Sequence, residues 1–401
     1  MSWDTVKLVN ICKSISDGDH QAPPKSETGI PFVTISNITS TNKFDFRNTM
    51  HVPQDYYEGL DGKRRPQVGD VLYSVVGSFG IPVLMTEEHK FVFQRHIAIL
   101  RPDEVKVVPA FLYYTMLNRD FYMKADAVAL GAAQRTVSLT ALREMEIQLP
   151  DYDTQKKVVN VLRPYDELIE NNQKQIKLLE EAAQRLYKEW FVDLRFPSYE
   201  DCKIVDGVPE GWTVKPIGDV FITVLGGTPS RSNSNYWGGN IPWINSGEVN
   251  NLRIMKESEY ITELGLSKSS TKLMPIHTTV LAITGATLGQ VSYTEIETCA
   301  NQSVVGIIDN TRLYSMYLYL FVSNKIWEMI SKATGGAQQH INKDIVNEFP
   351  ILLPDEEVVI NFNQRLESIF QKISNLMAQN IRLQESRNRL LPKIMSGKLE
   401  V

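Results

Sequence analysis

The sequence is poor in features that mark several common protein classes. Its three cysteines, Cys12, Cys202 and Cys299, are odd in number, far apart and without CxxC spacing. That pattern supports neither a disulfide framework nor a cysteine zinc site, and it fits a reducing cytoplasm. No stretch approaches the roughly 18 consecutive apolar residues of a membrane span. The opening segment, MSWDTVKLVNICK, has no basic start followed by an apolar run. A secretory leader is therefore not expected, and the expected location is cytoplasmic.

Catalytic motifs are missing as well. There is no GxxxxGK[ST] phosphate loop, since Gly397-Lys398 is followed by Leu399 and lacks the upstream glycine. HExxH, a glycine-rich dinucleotide fingerprint and the Asn/Asp-Pro-Pro-aromatic signature of amino-methyltransferases do not occur. One acidic arrangement, Asp70 with Glu88-His89-Lys90, has the residue types of a magnesium-dependent nuclease. The matching part of the second half reads Glu295-Ile296-Glu297, with no lysine, which weighs for a solvated hairpin. No catalysis, metal or cofactor is expected of this chain itself. Positive charge is also in short supply: the formal net charge is −5, with −1 over 1–150, −1 over 151–196, −4 over 197–354 and +1 over 355–401. A nucleic-acid partner would have to be met by local patches, or through a subunit that supplies positive charge.

What the sequence does have is repetition. Gly131 to Asp153 and Gly335 to Glu357 align without a gap at an offset of 204, pairing Gly131/Gly335, Ala133/Ala337, Gln134/Gln338, Glu144/Glu348, Ile147/Ile351, Leu149/Leu353, Pro150/Pro354 and Asp151/Asp355. This period is far too long for a solenoid and implies a duplicated domain. Earlier segments repeat too. WDTVKLVNI from Trp3 matches WTVKPIGDV from Trp212, GIPFVTISNI from Gly29 resembles NIPWINSGEV from Asn240, and VLYSVVGSFG from Val71 lines up with VLAITGATLG from Val280 at an offset of 209. β-Branched runs ending in glycine read as strands closed by tight turns. The Tyr/Leu-rich stretches from Pro109 and from Ser315 read as core helices. Between the shared segments, 39–69 and 250–279 have little in common, so the frame is duplicated and the loops have diverged.

Each half closes on a long heptad-patterned helix with Asp151 or Asp355 as its N-cap. The first seam runs Val158, Leu162, Tyr165, Ile169, Asn172, Ile176, Leu179, Ala183, Leu186 and Trp190. The second runs Phe362, Leu366, Ile369, Ile373, Leu376, Asn380, Leu383, Arg387, Leu390 and Ile394. Two matched seams in one chain imply that the helices pack on each other, antiparallel if a pseudo-two-fold relates the halves. With Val158 opposite Ile394, Asn172 falls opposite Asn380 and Tyr165 opposite Arg387. The expected organisation is domain 1–150, helix 151–196, linker 197–211, domain 212–354 and helix 355–401.

Taken in order, these segments resemble the specificity subunits of type I restriction–modification systems, and the resemblance spans the whole chain. It is carried by LYKEWFVDL from Leu186, VPEGWTVKPIGDV from Val208, GGTPSR from Gly226, TGATLGQ from Thr284 and RLLPKIMSGKLEV from Arg389. The first half departs from the pattern, having SDGDHQAPPKSETG where the second has GGTPSRSNSNYWGG. The resemblance implies a mixed α/β fold with two target recognition domains joined by an antiparallel coiled coil. It implies double-stranded DNA, two modification subunits and restriction subunits as partners, with S-adenosylmethionine, ATP and Mg²⁺ on those partners. The target would be bipartite and non-palindromic.

The candidate DNA contacts are Lys63, Arg64 and Arg65, the densest basic cluster of the first domain, against the plainer reading of a solvated turn. In the second domain they are Arg231, Asn233, Asn235 and Tyr236 in a Gly/Ser/Asn-rich loop, against simple turn chemistry. Lys268 and Lys272 are candidates for phosphates. Gln134 and Arg135, with Gln338, Gln339 and His340, occupy equivalent places, which suggests a shared backbone contact or a shared structural turn. The rival to DNA recognition is a coiled-coil scaffold that never touches DNA, which the acidic balance favours and the divergence of polar loops opposes.

Overall fold

The computed structural model describes residues 3–39, 41–132, 134–332 and 340–399. The chain divides into two compact units, one built from 1–169 and 382–401, the other from 170–381.

In the first unit, strand Asp4–Lys7 pairs antiparallel with Glu146–Leu149. The main sheet has four antiparallel strands in the order Cys12–Asp17, Ile97–Pro102, Val71–Ser74, Pro82–Leu84. Val71–Ser74 is buried along its whole length. Alternate residues of a strand point to opposite faces, and here each face meets its own core. Val71, Tyr73, Ala98 and Leu100 join one cluster with Phe111 and Leu112, and Leu72, Ile97 and Ile99 join another with Phe91 and Phe93. The aromatic stretch from Pro109 forms two helices, Pro109–Leu117 and Arg119–Val128, because Asn118 is extended between them.

The second unit repeats this plan. Strand Thr213–Pro216 pairs antiparallel with Pro350–Leu353. A five-stranded sheet runs Ile222–Leu225, Val304–Ile308, Thr279–Ala282, Val291–Thr294, Arg253–Ile254. Leu281 faces the cluster under helix Ser315–Ser331, while Val280 and Ala282 face a separate one. Here the sequence alignment is one residue out. Tyr73 pairs with Ala98 and shares its cluster with the helices, and Leu281, which pairs with Val305, does the same in the second unit. The strands therefore correspond at an offset of 208, not 209, and the identical Val-Leu letters point to opposite faces. A slip of one residue inverts every side chain. The backbone hydrogen bonds agree, since Gly80 donates to Ser74 O at 3.0 Å and Gly289 donates to Ala282 O at 3.0 Å. The extra residue therefore lies in the hairpin loop.

The common frame also reaches into the diverged stretches. Met50–Val52 pairs with Ile30–Phe32, as Glu259–Ile261 pairs with the strand Trp237–Ile244. Each is followed by a short helix, Gln54–Glu58 or Glu263–Ser267.

The first long helix is Tyr152–Tyr187, followed by a π-helical turn, Lys188–Val192, so it ends short of the expected 196. The second is Glu356–Met395. Asp151 accepts from Thr154 N at 2.9 Å and Asp355 from Glu357 N at 2.9 Å. Within the first unit, Val158 and Leu162 share a core with Leu390, Leu391 and Ile394, and Asp166 is ion-paired with Arg387. The guanidinium of Arg387, expected opposite Tyr165, takes its carboxylate from the next residue, Asp166. Within the second unit, Ile176 and Leu179 pack on Ile369, Ile373 and Leu376, and Asn172 meets Asn380. In each unit the two helices run antiparallel. Ile169 is buried, and Leu186 and Leu383 are half-buried. Phe362 and Leu366 serve the domain core together with Trp190 instead of a helix-only seam. Among the described residues, no helix is long and apolar enough to cross a membrane.

Candidate DNA interface

The diverged loops stand on equivalent bends of the two frames. In the first unit the backbone turns at Gly18-Asp19, where Asp19 N donates to Phe93 O at 2.9 Å. The Asp19 side chain is buried and accepts from Tyr56 OH, from Arg64 Nη1 at 2.9 Å and from Gln21 N at 3.3 Å. Burial alone would raise its carboxyl pKa, but these hydrogen bonds and the Arg64 charge prevail and hold it below the usual value. The basic cluster is therefore divided. Asp61 caps the turn Gly62–Arg64 by accepting from Lys63 N at 2.8 Å, which aims Arg64 inward at Asp19. Arg65 lies 5.8 Å from the Tyr57 ring. Lys63 remains exposed, beside a cleft of about 490 Å³ lined by Lys13, Ser16, Asp17 and Arg143.

In the second unit the same bend is Gly226-Gly227. Gly226 N donates to Val304 O at 2.9 Å and Gly227 N to Ala300 O at 2.7 Å. A Cβ would stand 2.6 Å from Ala300 O at Gly226 and 2.6 Å from Thr271 N at Gly227, so neither position admits a side chain. This close approach sets Gly227 against Ser270 and Thr271, a segment flanked by the exposed Lys268 and Lys272. Arg231 donates through Nη1 and Nη2 to Glu259, at 2.6 and 2.8 Å, and its guanidinium carbon lies 3.6 Å from the Trp237 ring centre. The hydrogen bond to Glu259 raises the Arg231 pKa and, from the other side, lowers that of Glu259. Asn233 accepts from Asn235 N at 3.1 Å, which is turn chemistry, and Thr262 holds Asn235 O and Tyr236 O at 2.7 and 3.0 Å. The side chain of Asn235 is exposed.

The repeated text has a structural explanation. Val137 and Ile341, 204 residues apart, are buried and donate to Val75 O at 2.9 Å and Ile283 O at 3.0 Å. The next residues, Ser138 and Asn342, cap the helices Leu139–Glu144 and Lys343–Glu348, accepting from Ala141 N at 3.1 Å and Ile345 N at 2.8 Å. Arg135 is ion-paired with Asp126 and lies 5.8 Å from the Phe79 ring. Gln134 and His340 are exposed, and Gln338 and Gln339 lie outside the described residues.

Asp70, the tempting metal ligand, is buried with both oxygens engaged: Arg101 Nε donates to Oδ1 at 3.0 Å, and Arg101 Nη2 and Gln67 N donate to Oδ2, each at 2.9 Å. Its carboxylate serves to hold an arginine, and no cluster of three or more metal-ligating side chains occurs among the described residues.

The family model for the type I restriction modification DNA specificity domain matches residues 2–181 and 209–391. The chain belongs to that family. Its function is accordingly DNA recognition as a type I restriction–modification specificity subunit. The type I restriction enzyme HindI specificity subunit of Haemophilus influenzae is 24% identical, over 99% of this chain and 99% of the relative. The putative type I restriction enzyme MjaX specificity subunit of Methanocaldococcus jannaschii is 24% identical, over 100% of this chain and 94% of the relative. The crystal structure of a type-I restriction-modification system S subunit from M. genitalium matches with a TM-score of 0.55 at 14% identity, covering 98% of this chain and 96% of that one. At that identity the likeness speaks for the fold alone.

Sequence reasoning missed one feature of this specificity subunit entirely. Arg253 is fully buried, with Glu180 3.4 Å from Nη2, Glu295 3.9 Å from Nε, and the rings of Tyr319 and Phe370 at 4.5 and 4.6 Å. Tyr319 OH donates to Glu180 at 2.8 Å, and Ser374 OH donates to Glu295. A lone arginine in NNLRIMKE carries no local sign of this burial. Only the sheet edge and the faces of three helices, brought together, create the pocket.

Proposed function

We propose that the chain reads a bipartite, non-palindromic DNA target, with each unit reading one half-site. The observation behind this reading is that one bend of a common frame carries different chemistry in each copy. The first unit has Asp19, Tyr56 and Arg64 with Lys63 exposed; the second has Gly227, the Arg231–Glu259 pair, Lys268 and Lys272. Bases are distinguished by donors and acceptors placed at their edges, so unlike loops call for unlike half-sites. Lys63, Lys268 and Lys272 are assigned to phosphates and Asn235 to a base edge. Arg64, turned inward onto the buried Asp19, and Arg135, held by both the side chain and the backbone carbonyl of Asp126, are assigned to loop support.

In this reading the two long helices join the units as an antiparallel coiled coil. The antiparallel packing of helix segments inside each unit supports it. Two modification subunits dock on the chain, with restriction subunits in the full complex, and these partners bring S-adenosylmethionine, ATP and Mg²⁺. A chain of net charge −5 leaves much of the phosphate contact to them.

The test is to exchange residues 212–354 for the matching domain of a relative and to sequence methylated adenines in DNA from cells that carry the modification subunits. One half of the target should change while the other half is retained. A change in both halves would overturn the assignment of one unit to each half-site.

A further inference from the structure

We infer that Arg231, Trp237 and Glu259 form a preassembled reading head for a guanine, in which Arg231 supplies the donors while Glu259 and Trp237 hold it in place. This inference rests on the DNA-recognition reading above and names the base class that one loop of the second unit would select.

The assembly is supported from the core outward. Trp243 is buried and donates from Nε1 to Gly227 O at 3.0 Å. Trp237 packs edge-on against it, with ring centres 5.2 Å apart, and donates from Nε1 to Ser230 O at 3.3 Å. The Arg231 guanidinium lies on the face of Trp237 at 3.6 Å. Glu259, on the strand that pairs with Trp237–Ile244, takes both terminal nitrogens of Arg231. Even so, the two side chains are still 54% and 44% exposed. An unrestrained arginine must lose its rotamer freedom to bind; this one has already lost it.

The remaining valences indicate the ligand. A guanidinium has five N–H donors in one plane. Glu259 takes two, which leaves Nε–H and an adjacent terminal N–H as a side-on pair. Guanine presents two acceptors, N7 and O6, on its major-groove edge, and an arginine engages them bidentately. Phosphate is the poorer ligand here, because the Glu259 carboxylate would stand beside it and repel it. The exposed Lys268 and Lys272 nearby have no ion-pair partner among the described residues and suit phosphate better.

The experiment uses the full chain with its modification subunits. Target sequences are read from methylated adenines, and random-duplex affinity is measured in parallel. R231K keeps the charge but loses the planar fork, and it should relax one G·C position of one half-site by on the order of 5- to 150-fold while the other half-site is unchanged. E259Q frees the guanidinium and removes a negative charge, so it should relax the same position while tightening random-duplex binding. Thermal melting confirms that both variants are folded. If both leave the target unchanged, or if R231K weakens all sequences evenly, the pair is a structural clasp or a phosphate contact and the inference fails. If the wild-type complex itself selects no sequence, the DNA-recognition reading fails instead, and that outcome is read before any variant is compared.

Discussion

The side-chain amide of Asn172 donates to Oδ1 of Asn380 at 2.8 Å, next to an apolar stretch formed by Ile176, Leu179, Ile373 and Leu376. Both residues are buried, and a second bond runs from Asn172 to Gln379 Oε1 at 2.9 Å. A polar pair in such a seam favours one register at some cost in stability.

Replacing one partner and replacing both should therefore have opposite effects. N172L leaves the Asn380 amide buried without its partner and should cost about 1–3 kcal/mol in urea unfolding. The double change N172L/N380L removes both polar groups and should raise the melting temperature above that of the wild type. A double variant no more stable than the single would show that the amides are solvated in place.

Arg253 should be the least replaceable charge in the second unit. R253M leaves Glu180 and Glu295 without their cation in a buried site, and unpairing a buried charge costs about 3–5 kcal/mol. Urea unfolding should report a loss of that order. A loss below 1 kcal/mol would mean that water reaches the two carboxylates.

The two equivalent helix caps should behave alike. S138A and N342A each remove an acceptor from the first turn of a short helix, and each should cost about 1 kcal/mol. If either side chain instead touches DNA, its alanine variant would lose affinity without losing stability. Melting and duplex binding measured side by side separate the two roles.

Two thiols should resist modification in the folded chain. Burial, aided by Asp70 and Asp103, pushes the Cys12 pKa up to about 12, and burial pushes Cys299 up to about 11. The thiolate is the reactive form, so iodoacetamide at pH 8 should leave both unmodified until denaturant is added. Both folded-state pKa values lie above the unfolded value of about 8.5. Stability tied to the neutral thiols is therefore intact below about pH 8.5, and it falls as the pH climbs from there toward 11 and 12. Labelling of Cys299 in the native state, followed by mass spectrometry, would contradict its burial.

The local and the periodic features of this chain are legible from its residues. The 204-residue offset announced a duplicated frame, and the alternating steps of four and three announced two long helices whose two misplaced asparagines needed each other. These features are legible because side-chain direction along a helix is fixed by spacing alone. Features that depend on distant partners emerged only from the fold. The central strands proved to be offset by 208 residues because the hairpin loop, not the strand, absorbed the extra residue. Arg64 turned inward because Asp19 waits there, Arg135 is held by Asp126, and Arg253 is buried because three helices and a sheet edge surround it with carboxylates and rings. A charged residue looks the same in a sequence whether it faces solvent, DNA or a buried acid. The choice rests on which opposite charge the fold brings within about 4 Å, and that is a property of long-range contacts.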